Sequence, residues 1–493
     1  MTSSNIEITS CRETTRGTTP GTPRMRRRRW TGESLNHKPL FETSDQVRDD
    51  RMAADPTKVG EQNSGGLNNE FSFPVDGSPE SDDLCSALMA EWANTAFRDN
   101  DGTADSVITG VTASTSVVAV LTGAVFPLGG LVRFTGFGLS GNNGVRRVTT
   151  ASATVPAFAG SGLVDEPAPA AAARLKLVGF EGVADDIKAV ADGLTSEAGG
   201  LDFTTFPTLR PGVFLKVGGG AAGTRFDTAG CNGFVRLVSV AAHKLTCDNL
   251  PPAWSADAGA GKTIRVFVPD ELRNGKTLIA QTLQRRFSGQ DVPTCAKHRG
   301  MVVDEFSLDL QRDPEKGKKI TYSVTYMGLG ADTDTVNLDA TPDPETTTGI
   351  MSTGVHVGRL NELGARVVAP NFVSAIKLTV KNNIGLIGSI DEMAAVDQRW
   401  GDCDVKAEVT ARFGDVSTLS AFHAGSPTSY NWPVIRDGQA VLFQLPRLTR
   451  TEGDGPNAQG KNQDVNTRFT ATASKDTLTA SHIIIDRFEY LET

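Results

Sequence analysis

Across residues 66–77 the chain alternates apolar Leu67, Phe71, Phe73 and Val75 with polar neighbours over much of its length, the period of a strand with one buried face. The period then changes. Ser78 stands as a helix N-cap, Pro79 takes the first helical position, and Glu80, Asp82 and Asp83 fall in the opening turn. Leu84, Ala87, Leu88 and Trp92 follow at helical spacing, so a short amphipathic helix is predicted to cover the open face of a sheet.

The same order returns at residues 401–425: an alternating strand, a turn carrying Gly and Asp, then a short helix led by Ser or Asp. Two further correspondences keep the order, residues 275–287 with 438–451 and residues 318–328 with 463–473. One β domain is therefore expected twice. Between the copies, residues 331–349 have the Asp, Thr and Pro content of a linker or extended arm.

The middle of the chain carries a second, smaller repeat. Residues 131–150 are similar to residues 213–240, each with an apolar strand, a Gly-rich turn, an Asn-Gly step (Asn143-Gly144 or Asn232-Gly233) and another alternating strand. Asn-Gly is a short-hairpin signal because both residues tolerate positive φ. Residues 170–180 take the place in the first copy that 259–268 take in the second, which defines two small tandem β modules.

That alignment bears on Gly261-Lys262-Thr263, which ends like a phosphate loop. Such a loop requires an earlier Gly where this chain has Ala256, and a helix where it has the strand pattern Ile264-Arg265-Val266-Phe267-Val268. A nucleotide-binding enzyme is the alternative that these departures oppose. Asp415, Ser417 and His423 invite a catalytic triad, but all three sit in one turn and short helix without a nucleophile elbow. The adjacent carboxylates Asp304-Glu305 and Asp185-Asp186 read as solvated faces rather than an acid and base pair. No catalytic residue is expected.

Composition narrows the picture. Fifty-one glycines and 6% aromatic residues in a 493-residue chain suit a turn-rich, mainly β protein. No apolar run approaches a membrane span and the N-terminus lacks the apolar core of a secretory signal, so membrane insertion is not expected. Six scattered cysteines without CxxC spacing read as reduced thiols, and histidines such as His37, His243 and His423 stand apart, so neither a metal nor any other cofactor is expected. The net charge is −9, yet Arg24 and the run Arg26, Arg27, Arg28 and Arg29 make the N-terminus basic. The run is expected to belong to a flexible arm that docks on acidic neighbours in an assembly, rather than one that grips nucleic acid. With Trp30, these arginines are the candidate assembly contacts.

Four stretches carry a family resemblance: TPRMRRRRWTGESLN, SDQVRDDRMAADPTKVGEQNSGGLNNEFSF, ITYSVTYMGLG, and SAIKLTVKNN followed by the GKNQDV segment. In that order along the chain they resemble the tail tube proteins of long-tailed, siphovirus-like bacteriophages. The resemblance implies a mainly β fold: two tail-tube-type β-sandwich or barrel domains, each with a short flanking helix, plus two small inserted β modules. The expected boundaries are a flexible basic arm at 1–29, the first part of tube domain 1 at 30–105, and the inserted modules at 106–270, divided into 106–180 and 181–270. The second part of tube domain 1 follows at 271–330, a linker at 331–350 and tube domain 2 at 351–493.

The function implied is that of a virion structural protein, made in the host bacterial cytoplasm and resident in the phage tail. It would polymerise into stacked rings that conduct DNA during ejection. The expected partners are other copies of the chain, the tape measure protein, and the tail terminator and distal tail proteins, with DNA passing unread. If six tube domains make a ring, two per chain predict a trimer with pseudo-sixfold symmetry, a hexamer being the alternative. The acidic balance predicts a negative lumen, and exposed outward modules favour a tail without a sheath. A virion surface or host-adhesion protein acting through the inserted modules is the alternative from another class.

Overall fold

The computed structural model describes residues 5–47, 49, 52, 54–100, 107–121, 125–160, 162–313, 315, 317–367, 369–456, 461 and 464–492. The chain begins with β1 (Ile6–Arg12), β2 (Arg26–Arg27), β3 (Gly32–Glu33), β4 (Asn36–Glu42) and β5 (Thr57–Glu70), followed by α1 (Pro79–Leu88) and β6 (Phe97–Asp99). β5 stops earlier than the alternation suggested. Phe71 and Phe73 still fill the core, but Pro74 has no amide hydrogen to extend a ladder. α1 starts where the capping residues place it: the Ser78 hydroxyl accepts the Ser81 amide at 3.2 Å, with Pro79 at the first position. It ends at Met89, which takes the left-handed conformation at φ 50° and returns its amide to the Cys85 and Ser86 carbonyls. Every residue of α1 is buried, so the helix is sandwiched rather than laid on the surface.

The middle of the chain forms β7 (Ile108–Thr112), β8 (Val117–Val120), β9 (Gly130–Thr135), β10 (Gly144–Thr150), β11 (Ala157–Phe158) and β12 (Arg174–Glu181). A second set follows: β13 (Lys188–Val190), β14 (Gly193–Thr195), β15 (Phe214–Val217), β16 (Phe234–Ala241), β17 (Lys244–Asp248) and β18 (Arg265–Phe267). These strands make one sheet in the order β7-β8-β11-β10-β9-β12 and then, mirrored, β18-β15-β16-β17-β14-β13. Each set of six has the same internal order, and the two join through antiparallel β12 and β18.

The repeat reaches individual atoms. The Asn143 amide donates to the Phe137 carbonyl at 3.0 Å and accepts the Phe137 amide at 3.1 Å. Asn232 makes the same two bonds to Phe226 at 2.9 and 3.0 Å. Neither asparagine adopts positive φ, the values being −93° and −108°, and so the expected tight Asn-Gly hairpin is not formed. The side chain instead brackets a longer loop, satisfying backbone groups that a two-residue turn would not have left open.

The remainder supplies β19 (Asp270–Arg273), β20 (Gln281–Phe287), β21 (Thr294–Gln311), β22 (Thr321–Gly328), β23 (Gly330–Asp334), β24 (Asn361–Glu362), β25 (Ala365–Arg366), β26 (Val373–Lys381), β27 (Gly385–Ile387) and β28 (Asp397–Arg399). β29 (Asp404–Arg412), α2 (Ser417–His423), β30 (Thr428–Arg436), β31 (Gln439–Asp454), β32 (Asn466–Ala473) and β33 (Ile484–Phe488) complete it. The large sheet contains β4-β5-β22-β21 followed by β26-β29-β32-β31, two equivalent sets of four. In each set the second strand leads into a helix and the fourth is long, 18 residues in β21 and 16 in β31.

Pairing corrects one of the sequence correspondences. β20 matches β30 and β21 matches β31, so residues 275–287 are one strand out of step with 438–451. The bulges prove the match: β21 shifts register between Val303 and Glu305, and β31 between Arg450 and Glu452. Gln463 of the third correspondence lies outside the described residues; β32 and β22 agree with it from Asn466 onward.

One hydrophobic core runs under both sets of four and α1, with Phe71, Trp432 and Phe443 among its largest members. The inserted sheet has its own core. A third cluster joins them: Leu131, Val178, Phe214 and Phe267 of the insert meet Ala440, Leu442, Phe488 and Leu491. Phe234 lies edge-on to Phe488 at 5.4 Å. Below this seam Asp270 sits between Lys176 at 2.8 Å and Arg487 at 3.1 Å. Burial alone would raise the pKa of Asp270, but these two cations outweigh it and hold the carboxyl at about 2.

Candidate assembly site

The basic run does not hang free. Arg28 lies 1% exposed beside Asp83 at 0%, and its guanidinium also reaches Ser10 and Gln281 at 3.2 Å and the Tyr326 hydroxyl at 3.1 Å. Tyr326 in turn donates to Asp83 at 2.6 Å. Burial pushes the Asp83 pKa up, with the Arg28 charge opposing it. Arg29 bonds the Thr348 carbonyl at 2.8 Å and stands 3.7 Å from Glu80, while Arg12 pairs with Asp82. The acidic first turn of α1 is thus matched by three arginines of the same chain.

Arg26 and Arg27 form β2 against β1, Arg24 pairs with Asp343 at 2.8 Å, and Trp30 leans on the main core. The expected flexible arm is therefore corrected for the described residues 5–29: it is folded into the sheet. Its acidic neighbours are α1 and the segment 331–350, which also lies folded along the chain, Asp343 accepting the Arg27 amide at 3.0 Å through its carbonyl. The physical reason is that three carboxylates buried by α1 need countercharges, and the arginine run is the local supply.

Surfaces that remain open lie at the ends of the sheet. Inside the chain the two sets of four meet where β21 pairs with β26, Glu305 opposite Lys381 and Asp309 opposite Lys377. On the far side of β26, Lys381 faces Asp404 and Lys377 faces Glu408. Two rows of alternating charge therefore cross this joint. At the outer ends, β4 pairs only with β5, and residues 450–454 of β31 pair only with β32, among the described residues. These are unfilled edges with backbone donors and acceptors in place.

The matched ladders say what each edge resembles. Alignment at the shared bulge puts Glu452 where Glu305 stands. Gly32 opposite Asn68 corresponds to Ala375 opposite Thr410, each two residues before the end of its ladder, which puts Lys38 where Lys381 stands. The two free edges are thus the two halves of the internal joint, separated.

The chain matches the family model described as phage tail tube protein over residues 3–181 and 182–473. It belongs to the phage tail tube protein family. No curated protein matches the sequence. The tail tube protein is a structural component of the phage tail, and its family is not one of enzymes. Family membership implies self-assembly into a tube.

The residues that suggested chemistry have structural roles in this tail tube protein. Asp415 accepts the Ser417 amide at 2.9 Å at the start of α2, and His423 rests against Phe422 at the other end. Lys262 pairs with Asp227, and β18 follows it in place of a helix. Asp186 is buried, contrary to the solvated face expected, and accepts the Glu197 and Leu201 amides at 3.1 Å. No helix is long and apolar enough to cross a membrane among the described residues. All six cysteines are free thiols, five of them buried. Sequence reasoning expects exposed strands that pair laterally between subunits but does not identify β4 and residues 450–454 as those edges, although the pair Lys38 and Lys381 carried a signal once the repeat was in register.

Proposed function

We propose that three copies close into a ring by repeating the β21–β26 joint between chains. Residues 452–454 of one copy would pair antiparallel with residues 36–38 of the next, Glu452 opposite Lys38. The observation that carries this reading is the internal joint itself, since its two halves recur as the unpaired edges. Antiparallel pairing supplies backbone hydrogen bonds, and the charge pair fixes register. Six sets of four strands from three chains then make a pseudo-sixfold ring.

Stacked rings form the conduit for DNA in a long, sheathless tail, with the tape measure, terminator and distal tail proteins as partners. The polar face of the sheet would line the channel. On it Glu305, Asp309, Asp404 and Glu408 stand beside Lys377, Lys381, Lys406 and Arg468, Arg468 pairing with Glu408. Such a wall is charge-compensated rather than acidic, and this replaces the lumen expected from net charge. Paired charges offer phosphates no net release of counterions, so DNA passes unread. The inserted modules act as fixed decoration, because their seam with the sheet combines an apolar cluster with ion pairs such as Arg174 to Glu489 at 3.0 Å.

Native mass spectrometry of assembled rings tests the proposal. Three chains per ring is the expected result, and six full chains per ring refutes it. Lys38→Glu is expected to leave folded monomers that fail to close, with Glu452→Lys in the same chain restoring closure.

A further inference from the structure

The two ends of the large sheet differ in chemistry. Residues 382–403 leave the C-terminal end of β26 as a loop carrying exposed Ile387, Ile390, Met393, Val396 and Trp400. Ile390 at its tip is fully exposed, and Asp391 and Glu392 follow it into solvent. The loop base is fastened: Asn382 and Ile384 donate to the Asp304 carbonyl and carboxylate, each at 2.7 Å, and the Gln398 amide reaches the Gly300 and Met327 carbonyls at 2.8 and 2.7 Å. The Met393 carbonyl accepts the Glu61 amide at 2.9 Å. An apolar, acidic tip is thus presented on a fixed stalk.

At the N-terminal end of β26, roughly 25 Å away at about 3.3 Å per residue, lies a cleft of about 560 Å³. Leu310, Val357 and Ile376 give it an apolar floor, and Arg312, Arg359 and Arg366 line it without a carboxylate. Trp432, fully buried at its base, has an indole N–H with no hydrogen-bond partner. Burial and the neighbouring Arg366 both lower the Arg359 pKa, the signature of cations crowded without a countercharge. In the first repeat Arg285 occupies the place of Trp432 and bonds both Glu33 oxygens at 2.9 Å.

Resting on the ring reading above, we propose that the cleft receives the 382–403 loop of a copy in the adjacent ring. Ile390 enters the apolar floor, and Asp391 and Glu392 meet the arginines. The segment between β4 and β5, residues 43–56, carries Arg48 and Arg51 among its acids in sequence, a poorer match to a basic cleft. Tip and cleft at opposite ends of one strand give a head-to-tail contact that adds rings along the axis without limit.

The test reverses charge on each side. The variant Asp391→Arg with Glu392→Arg, and separately Arg359→Glu with Arg366→Glu, are examined by negative-stain microscopy for stacking and by native mass spectrometry for ring closure. Each is expected to give closed single rings and to lose tubes, and the four substitutions together are expected to restore them. Reversed-charge rings that stack like the wild type overturn the inference and leave the ring proposal standing. Combined variants that close but never stack also overturn it. A wild-type chain that forms no rings defeats the proposed function first, and the inference with it.

Discussion

Replacing Arg28 by Met separates a folded basic segment from a flexible arm. The substitution keeps most of the side-chain volume but removes the charge that faces Asp83 at zero exposure, along with bonds to Ser10, Gln281 and Tyr326. Asp83 is then left with neutral donors only, Tyr326 at 2.6 Å and Gln281 at 3.3 Å. Leaving one member of a buried ion pair unpaired costs about 3–5 kcal/mol. With about 2.1 cal/mol/K of unfolding entropy per residue, a cooperative 493-residue chain shifts by about 1 °C per kcal/mol, so the unfolding midpoint should fall by roughly 3–5 °C.

The loss should depend on pH. Without the guanidinium, burial holds the Asp83 pKa in the folded state above its unfolded value of about 3.9, so the folded variant binds more protons. Its stability is therefore fullest below that value and declines as pH rises toward the raised folded pKa. Urea unfolding of Arg28→Met and wild type at a series of pH values reads both effects. Adding Asp83→Asn to the Arg28→Met variant should recover about half of the loss or more, as expected when the damage is an uncompensated charge. An Arg28→Met protein within about 0.5 kcal/mol of wild type at neutral pH would refute the reasoning and reinstate an exposed arm.

Other consequences are as direct. Phe488→Ala removes the ring on which Phe234 and Leu442 close, and should lower stability by about 3–5 kcal/mol by thermal or urea unfolding. Asp270→Asn removes a carboxyl held at about 2 by Lys176 and Arg487. The wild-type contribution is present above the unfolded pKa of about 3.9 and fades as pH falls toward 2, so the two proteins should converge in stability in that range. Deleting residues 106–270 exposes Leu442 and Phe488, so the shortened chain should aggregate unless both are made polar, as light scattering would record. Ser78→Ala removes the α1 cap and should cost about 1 kcal/mol in unfolding experiments.

Much of the repeat architecture was legible because periodicity and capping are local. The start of α1 follows from Ser78-Pro79 and the acidic turn behind them, and the twin modules from apolar strands in matching order. The Asn-Gly steps marked the right places but the wrong conformation. A side chain reaching back six residues to Phe137 or Phe226 competes with the tight turn, and only the folded loop shows which wins. The one-strand error in matching 275–287 had a similar origin, since several alternating strands look alike until a bulge and its partner fix the register.

By itself, then, the sequence determined a duplicated β chain with a nested repeat, one capped helix and no catalytic arrangement, because those properties are written in spacing. The destination of the arginine run was decided only in three dimensions. Charge predicts attraction to acids; that the acids are Asp82, Asp83 and Glu80 of the same molecule depends on a helix folded over β1 and β21. The free edges belong to the same class. Nothing in the local pattern of Lys38 or Glu452 marks it as unpaired, and the joint they resemble exists only once β21 and β26, far apart in the chain, lie side by side.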